Sequence, residues 1–436
     1  MIRKMILPIS LSLLSLTLAG CLPLSNATTI PPTATDTTVP PTATVAPSAT
    51  PIPPSETPTE VPPTATATPT TPPEGVIEHF PAGQEFTVTT IHMIDANSGW
   101  ATGGLAGVGD HVLKTADGGS TWTDLTPPEP APASGDQKVA TAYFQDAQIA
   151  WVTYAYTGFI IPSQAVVWRT QDGGQTWLAS QPLDISGLAE VYVPSDLLFI
   201  GGQTGWLLVH VGAGMNHDYV ALFRSQDGGV TWTRLLDPYN DGGIQSCSKS
   251  AILFTDATHG WLTGDCNGVA AGVLLFKSTD GGATWQEVVL PDPTSALGLF
   301  EDMNVACGSY DPFFFSNDLG HLGVRCTHFA QQPSTLDYYI YTTQDGGATW
   351  TSSTYPGIAL YFVTADTGWS LAPKIQRTTD GGATWTPISD VIWTAQMDFI
   401  SEQIGWGVAR ADNQVALVKT DSGGEHWSIL TPTIGP

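Results

Sequence analysis

The chain has 436 residues, with 14 Lys and Arg against 40 Asp and Glu, and its formal net charge is −26 at pH 7. Such an acidic surface repels nucleic acid and anionic lipid headgroups, because both are bound chiefly by basic side chains. The composition therefore excludes a nucleic-acid-binding protein and favours a solvated acidic surface. Calcium binding by acidic loops is the alternative, but the sequence has no EF-hand spacing. We expect no metal ion and no cofactor.

Residues 1–20 are predicted to be a signal peptide. Arg3 and Lys4 precede an apolar run from Ile6 to Leu18, which is too short to span a bilayer comfortably as a transmembrane anchor. The segment that ends at Gly20-Cys21 resembles the bacterial lipoprotein box, and this resemblance implies cleavage before Cys21 and lipid attachment there. We expect an exported lipoprotein on the extracytoplasmic side, at the cell surface or in the periplasm, held at the membrane by its lipid alone.

Residues 21–75 are predicted to be a disordered linker that begins with the lipidated Cys21. Residues 22–75 contain 15 Pro, 16 Thr and no aromatic residue, so this segment cannot bury enough surface to fold. Its Pro content predicts an extended spacer with a reach of up to roughly 3.1 Å per residue. Thr next to Pro also suits O-glycosylation. Residues 76–436 are the predicted globular domain.

A nine-residue turn recurs along the globular domain, first as Lys114-Thr115-Ala116-Asp117-Gly118-Gly119-Ser120-Thr121-Trp122. The Asp carboxylate can accept hydrogen bonds from its own turn, and the Gly pair supplies positive φ. Thr and Trp then resume a strand. The seventh copy has Ser422 in place of Asp. The recurring residues are Asp117, Asp172, Asp227, Asp280, Asp345 and Asp380, with Trp122, Trp177, Trp232, Trp285, Trp350, Trp385 and Trp427.

A second motif precedes each turn, first as Asp95-Ala96-Asn97-Ser98-Gly99-Trp100, and Gly320-His321 replaces its Gly-Trp in the fifth repeat. Each repeat therefore predicts two hairpins, and four strands repeated seven times predict an all-β fold, a seven-bladed β-propeller with four antiparallel strands per blade. Residues 76–80 either close the ring by pairing with the last blade, which we favour, or simply end the linker.

The T-x-D-G-G-x-T-W turn resembles the Asp box of BNR-repeat propellers, which include sialidases, sortilin-type receptors and xyloglucan-cleaving glycosidases. The added F-x-D-x-x-x-G-W element more closely resembles the propellers of the photosystem II stability and assembly factor family. The resemblance covers roughly residues 76–436. It implies the propeller fold and, from the assembly factors, a protein-binding role, although one fold hosts many chemistries.

Four cysteines follow Cys21 in two pairs of equal spacing. Cys247 and Cys266 lie 19 residues apart, and so do Cys307 and Cys326. Both pairs flank the first hairpin of a blade, where antiparallel neighbours can come within disulfide range, and export places them where disulfides persist. We predict the bonds Cys247–Cys266 and Cys307–Cys326, with four free thiols as the alternative.

The variable connections should form the functional face, because the repeated turns share the other end of each blade. They comprise residues 154–166, 208–220, 234–250, 287–313 and 325–338. A sialidase is disfavoured, because only Arg234, Arg325 and Arg410 lie outside the repeated positions of the propeller. Candidate carboxyl groups for a glycosidase are Asp218, Glu301, Asp302 and Asp311, and their spacing selects no pair.

Aromatic and histidine residues add two further candidate sites. Of the 15 Trp, seven close the repeated turns and six occupy Gly-Trp positions, which leaves only Trp168 and Trp393. Sugar stacking would therefore fall to Tyr219, Tyr310, Phe313 and Tyr338. His210, His217 and Asp218 match no strong metal-binding pattern, and a polar hairpin tip is the favoured interpretation.

The sequence favours a non-enzymatic function. We expect a lipid-anchored, monomeric propeller that acts as a protein-binding or assembly scaffold through its variable face, with no catalytic residue. The alternative is a carbohydrate-active propeller, either a glycoside hydrolase or a lectin-like glycan-binding protein, for which the partner would be a glycan.

Overall fold

The computed structural model describes residues 78–130, 137–156, 161–188, 191–215, 217–240, 244, 246–266, 272–371, 374–391 and 393–436. The chain divides into Met1–Ala65 and Thr66–Pro436, and everything below concerns the second unit. The predicted signal peptide, the lipidated Cys21 and the linker up to residue 75 lie outside the described residues. Among the described residues, no helix is long and apolar enough to cross a membrane.

The described residues form an all-β structure of antiparallel sheets, with two short 3-10 turns at Leu105–Gly107 and Leu299–Glu301. We number its four-stranded parts as modules in chain order. Module 1 comprises β1 Thr87–Met93, β2 Gly99–Gly104, β3 His111–Thr115 and β4 Thr121–Asp124. Module 2 comprises β5 Lys138–Phe144, β6 Ala150–Tyr156, β7 Trp168–Thr170 and β8 Leu178–Ala179. Module 3 comprises β9 Val193–Ile200, β10 Thr204–Gly214, β11 His217–Ser225 and β12 Thr233–Leu236.

The remaining modules follow the same order. Module 4 comprises β13 Ser248–Phe254, β14 Gly260–Asp265, β15 Leu274–Ser278 and β16 Gln286–Glu287. Module 5 comprises β17 Val305–Ser309, β18 Phe313–Phe314, β19 Gly320–His328, β20 Thr335–Thr343 and β21 Thr351–Thr354. Module 6 comprises β22 Ala359–Phe362, β23 Gly368–Leu371, β24 Ile375–Thr378 and β25 Thr386–Ser389. Module 7 comprises β26 Thr394–Phe399, β27 Gly405–Ala411, β28 Gln414–Thr420 and β29 Ser428–Leu430, and β30 Thr433–Ile434 ends the chain.

The strands of each module pair in chain order, and one residue pair, Asp265 with Gly308, joins modules 4 and 5 into a nine-stranded sheet. The β17 and β18 strands both pair with β19 and together form the first strand of module 5. The first strand of each module, or β17–β18 in module 5, pairs with the second strand of that module. We call the first strand of each module, or β17–β18 in module 5, its inner strand.

Each repeated Asp turn is closed by its own carboxylate. In module 3, Asp227 Oδ1 accepts hydrogen bonds from the Ser225 hydroxyl at 2.9 Å and from the Thr231 N–H at 2.9 Å, and Oδ2 accepts one from the Thr231 hydroxyl at 2.6 Å. Gly229 has a φ of 85° and packs on Trp151 of the preceding module, where an added Cβ would lie 2.8 Å from the indole. The turn therefore needs glycine for its conformation and for the close contact.

The Gly-Trp indoles connect each module to the next one. The Trp151 indole N–H donates to Gly228 O of module 3 at 2.9 Å, and its ring stacks on Phe199 at 3.7 Å. In module 5 the His321 imidazole takes this position and lies 2.7 Å from Ala365 O of module 6. In module 7 the Trp406 indole donates to Gly118 O of module 1 at 2.9 Å. The modules thus contact one another in chain order, the last contacts the first, and the architecture is consistent with a β-propeller.

Basic residues at one repeated position lie at the same contacts between neighbouring modules. Lys114 Nζ lies 4.7 Å from the Trp100 ring centroid and donates to Gly173 O of module 2 at 3.3 Å. The matching cations of modules 3, 4, 6 and 7 lie over their own Gly-Trp rings in the same way, and they are Arg224, Lys277, Arg377 and Lys419. These cations therefore serve the scaffold.

The chain closes differently from the expected pairing of residues 76–80 with the last module. Residues 76 and 77 lie outside the described part, and the Phe80 N–H donates to Asp124 Oδ2 of module 1 at 2.9 Å. Instead, β30 pairs in parallel with β4, the last strand of module 1. Module 7 already has four strands of its own, so the free position for pairing is the β4 edge.

Two disulfides lie within modules 4 and 5, and they are the predicted ones. Cys247 bonds to Cys266 with an S–S distance of 2.06 Å, and Cys307 bonds to Cys326 at 2.02 Å. Cys307 and Cys326 are directly opposite each other on β17 and β19. All four sulfur-bearing side chains are buried. The predicted disulfide pairing is confirmed.

Candidate functional site at the inner strands of modules 3 to 5

The repeated turns and the variable connections lie at opposite ends of the modules. Successive antiparallel strands reverse direction, so the turn before the Gly-Trp motif and the Asp turn share one end. The Gly228 N–H donates to Gln203 O at 2.9 Å, which joins these two turns in module 3. The connections after the second and fourth strands therefore share the other end, and this is the variable face.

Asp196 is a carboxyl group within the inner strand β9. The Ile252 N–H of module 4 donates to this carboxyl group. The side chain is half-buried, and its Oδ2 atom is buried without a hydrogen-bond partner among the described residues. The pKa of Asp196 is raised to about 7, mainly by burial and also by the negative charge of Asp311, while a hydrogen bond from Ser195 acts in the opposite direction. This residue would therefore hold its proton near neutral pH.

Asp311 follows Tyr310 in the inner segment between β17 and β18. Its side chain is exposed to solvent, yet the surrounding protein raises its pKa by desolvation. Asp196 belongs to module 3 and Asp311 to module 5, with module 4 between them in the chain. The charges of two acids on the inner strands of non-consecutive modules therefore act on each other. The sequence named Asp311 as a candidate, and the structure supplies Asp196 as its partner.

Asp218 is fixed in a structural position beside this pair. Its Oδ1 lies 2.9 Å from His210 Nδ1, and its Oδ2 accepts a hydrogen bond from the Lys249 N–H at 2.9 Å. Burial would raise the pKa of Asp218, but the hydrogen bonds from His210 and Lys249 lower it overall. His210 in turn acts electrostatically on Asp196. Asp218 thus positions His210, and His210 connects it to Asp196.

The other candidate carboxyl groups lie in the connection after β16. Asp302 Oδ1 accepts hydrogen bonds from the backbone N–H and the side-chain amide of Asn304, both at 2.9 Å. The backbone hydrogen bond from Asn304 lowers the pKa of Asp302. Glu301 ends a 3-10 turn and lines a cleft of about 260 Å³ with Glu287 and Asp292. The Asp302 carboxylate is therefore hydrogen-bonded within its own turn, and Glu301 lines a cleft that does not include Asp196 or Asp311.

Arg325 and two further tyrosines lie near Tyr310, the residue before Asp311 on module 5. Arg325 forms an ion pair with Asp265 of module 4, with 3.2 Å between Nη2 and Oδ2. Tyr338 is opposite Arg325 in the β19–β20 ladder, and its ring lies 5.5 Å from that of Tyr355. Tyr310 directly precedes Asp311 and packs over Gly323, where an added Cβ would lie 3.2 Å from its ring. Glycine at 323 thus makes room for Tyr310.

Tyr338 and Tyr355 continue into an open cleft of about 580 Å³ on the variable face. Tyr339 and Asp337 also line this cleft, and Asp337 lies 2.8 Å from His328. Aromatic rings with a few polar groups are typical of small-molecule clefts.

The remaining predicted positions divide between structural roles and the site. Tyr219 lies parallel to the His217 ring at 6.1 Å, and Phe313 packs edge-on against Tyr361 at 6.2 Å. Of the four predicted aromatics, Tyr310 directly precedes Asp311, and Tyr338 lies near Tyr310. Among the described residues, no group of three His, Cys, Asp or Glu could hold a metal ion.

Sequence reasoning missed Asp196 and Tyr355. Asp196 lies in the sequence Val193-Pro194-Ser195-Asp196-Leu197-Leu198-Phe199, and an acid inside an otherwise apolar strand is the signal that could have identified it. Tyr355 follows β21 and carries no comparable signal.

A second buried cluster, at module 2, explains Trp168. The Glu129 carboxylate accepts hydrogen bonds from the Trp168 indole N–H at 2.6 Å and from the Tyr156 hydroxyl at 3.0 Å. Lys138 Nζ donates to Glu129 O at 2.7 Å, and burial lowers the pKa of Lys138 to about 8. Burial raises the pKa of Glu129 against these hydrogen bonds. Both carboxylate oxygens are hydrogen-bonded, so this cluster fixes the connection between modules 1 and 2.

No family model matches the sequence, and no curated protein does. Among solved structures, an ulvan lyase of polysaccharide lyase family PL25 has 11% identity and a TM-score of 0.44, with 66% of this chain and 81% of that chain covered. An ancestral GH74 enzyme has 12% identity and a TM-score of 0.47, with 82% and 48% covered. The GH93 α-L-arabinofuranosidase of Fusarium graminearum has 11% identity and a TM-score of 0.40, with 64% and 91% covered.

These similar structures correct the functional prediction. All three are carbohydrate-active enzymes, which contradicts the expected non-enzymatic protein-binding scaffold and favours the alternative. The mistake had a physical origin, because the sequence offered many acids and no spacing that selected a pair. At this identity the likeness concerns the fold alone, and the chain spans about half of the GH74 enzyme.

Proposed function

We propose that this chain is a carbohydrate-active enzyme that cleaves glycosidic bonds at the carboxyl pair Asp196 and Asp311. The observation that supports this proposal is the electrostatic interaction of Asp196 with Asp311, two acids from the inner strands of non-consecutive modules, each with its pKa raised by desolvation, although the Asp311 side chain is exposed. Two carboxyl groups near the scissile bond are what most glycoside hydrolases use.

The order of ionisation assigns the roles. When Asp196 titrates, at a pKa of about 7, it does so against the negative charge of Asp311, so Asp311 ionises first. Asp196 is then the general acid, which donates a proton to the leaving glycosidic oxygen. Asp311 is the carboxylate that activates water or attacks the sugar ring. The exposure of Asp311 to solvent suits a group that must meet substrate.

The charges around the pair favour a neutral glycan. Arg325 is the basic residue beside Tyr310, and its guanidinium is already paired with Asp265. The net charge of −26 further disfavours an anionic polymer such as a uronate. Tyr310 directly precedes Asp311, and the half-buried Tyr338 lies near Tyr310, so these two rings are the candidate aromatic contacts for a sugar.

The wider organisation is part of the same proposal. We infer seven Asp-box blades from modules 1 to 7, an export signal in residues 1–20, lipidation at Cys21 and a spacer in residues 22–75. The contact of Trp406 with Gly118 supports a closed ring. An anchored, exported propeller would meet extracytoplasmic glycans, and the disulfides fit that compartment.

The direct test measures glycan cleavage by the full chain and its variants. The protein is incubated with neutral polysaccharides (cellulose, xylan and mannan) and with an anionic polyuronate, and new reducing ends are quantified. We expect cleavage of a neutral substrate, with Asp196→Asn and Asp311→Asn each reducing kcat about 10²- to 10⁴-fold. Asp302→Asn is the matched control and should leave kcat unchanged, because Asp302 serves its own turn.

Two results would contradict the proposal. One is full activity of Asp196→Asn and Asp311→Asn on the cleaved polymer. The other is unsaturated uronyl products from the polyuronate and no cleavage of neutral polymers, since this would indicate β-elimination from an acidic sugar.

A further inference from the structure

A groove separates modules 6 and 7 because their strands differ in length. Each strand of module 6 has 4 residues, whereas β27 and β28 of module 7 each have 7. The sequence shows the same shortening, since Trp350 and Trp385 are only 35 residues apart. The ends of β27 and β28 near the variable face therefore extend beyond module 6, and a groove of about 450 Å³ runs from these ends along module 7 to its seventh Asp turn.

The groove has a small-residue floor and an aromatic wall. Ala409, Ala411 and Ala416 line it from module 7. Trp393 and Trp427 also line it, with ring centroids 5.4 Å apart and ring planes at 89°. Trp393 is one of the two tryptophans outside the repeated motifs, so the repeat pattern does not require an indole there. Alanine side chains let a flat ring approach the sheet closely while the indoles contact it from the side.

The polar rim comes from the degenerate seventh turn. In the other turns a Thr hydroxyl donates to the Asp carboxylate, as Thr121 does to Asp117 at 2.7 Å. In module 7, Ser422 replaces the Asp and His426 replaces the Thr. The Ser422 hydroxyl oxygen accepts a hydrogen bond from the His426 backbone N–H at 3.0 Å and lies 3.3 Å from the Thr420 hydroxyl, and no side-chain hydroxyl of residue 426 donates to it. The His426 side chain lines the groove together with Glu425 and Gln414, whereas the matching Thr side chains bond within their own turns.

We propose that this groove is a second glycan-binding site, which holds a neutral pyranose unit away from the carboxyl pair. Aromatic faces, a shallow apolar floor and a rim of amide, imidazole and carboxylate groups match the alternating apolar faces and hydroxyl edges of such a ring. The rim carries Glu425, and the whole chain is acidic, so a neutral sugar fits better than an anionic one. The glycan as ligand class rests on the proposed function, while the location does not.

The ligand test measures retention by affinity electrophoresis of the full chain in gels that contain soluble neutral glucan, xylan or mannan. We expect Trp393→Ala to weaken retention at least about tenfold, as truncation of a central aromatic contact does. Trp393→Phe should restore part of it. Asp196→Asn should retain binding to the polymer, since the carboxyl pair lies on modules 3 and 5.

A second variant keeps the test valid if Trp393→Ala folds poorly. The double change Ser422→Asp with His426→Thr rebuilds the turn found in the other modules, so this variant should fold at least as well as the natural chain. It removes the imidazole from the rim, and we expect retention to fall about threefold or more. Cleavage of a short soluble oligosaccharide, measured in parallel, should stay unchanged in both groove variants.

The outcomes separate this inference from the proposed function. Normal retention by Trp393→Ala and by the rebuilt turn would overturn the second site, even if cleavage is observed. Retention that depends on Trp393 without any cleavage would support the second site and contradict the proposed enzyme. Unchanged retention with faster proteolysis of residues 22–75 in Trp393→Ala would show that the groove holds this Pro-rich segment instead, and would also overturn the inference.

Discussion

Replacing Asp196 by Asn should abolish cleavage and, at the same time, stabilise the fold at alkaline pH. The repeat itself provides the comparison, since Gln396 occupies the position of Asp196 in module 7. Gln396 Oε1 accepts a hydrogen bond from the Ile91 N–H at 3.1 Å, and its Nε2 donates to Ile91 O at 3.2 Å. A neutral amide therefore bridges two inner strands where Asp196 reaches Ile252. Asn at 196 keeps an acceptor for that N–H and removes the charge.

The size of the effect follows from the pKa. Burial raises the pKa of Asp196 from 3.8 to about 7, and each pH unit between the two values corresponds to about 1.4 kcal/mol. The folded protein binds this proton more tightly than the unfolded chain, so the stability from this group is fully present below pH 3.8 and is lost as the pH rises to about 7. The upper limit is about 4 kcal/mol, and because the side chain is only half-buried we expect about 1–3 kcal/mol.

Chemical denaturation of both proteins across this pH range measures the difference. Between pH 5 and pH 8 the unfolding midpoint of Asp196→Asn should fall less than that of the natural chain, and at pH 8 the variant should be the more stable protein. A variant that is less stable at pH 8 would show that the fold needs a carboxylate at this position. The reasoning that treats Asp196 as an acid retained for function would then be wrong.

Three further predictions concern the repeated turn, the disulfides and the pH dependence of catalysis. Asp227→Ala should cost about 1–2 kcal/mol in denaturant unfolding, because it removes hydrogen bonds at an exposed turn. Asp421→Ala, in the degenerate turn at the position that Ala116 has in the first one, should cost little. Replacing Cys307 and Cys326 together by Ser should lower stability by roughly 3 kcal/mol from loop closure alone, measured against the disulfide-bonded natural chain, and the difference should disappear when both proteins are reduced. The rate of glycan cleavage should fall as the pH rises above about 7, because Asp196 loses its proton there. The rate should also fall at acid pH, because Asp311 gains a proton. A rate that keeps rising at alkaline pH would contradict the assignment of Asp196 as the general acid.

The sequence predicts the scaffold well because its rules are local. The Asp turn needs only residues within five positions, as Asp172 shows, where hydrogen bonds from the Thr176 hydroxyl and N–H lower the pKa of the carboxyl group to about 2. The disulfides follow from one hairpin each. Asp196 and Asp311 could not be paired, because their encounter depends on how modules 3 and 5 are arranged. The pairing of the chain's last strand was not predicted for the same reason, because β30 and β4 are far apart in the sequence.

Departures from the repeat therefore carry the functional information in this chain. Asp196 stands where module 7 has the bridging Gln396, and an isolated buried oxygen costs about 1–3 kcal/mol that a neutral residue would avoid. Ser422 and His426 replace the Asp and Thr whose carboxylate and hydroxyl are hydrogen-bonded in the other turns. Both departures lose stability locally without improving the packing of the scaffold. A chain selected for a rigid ring alone would have no reason to keep them, whereas a chain that binds and cleaves glycans has a use for each.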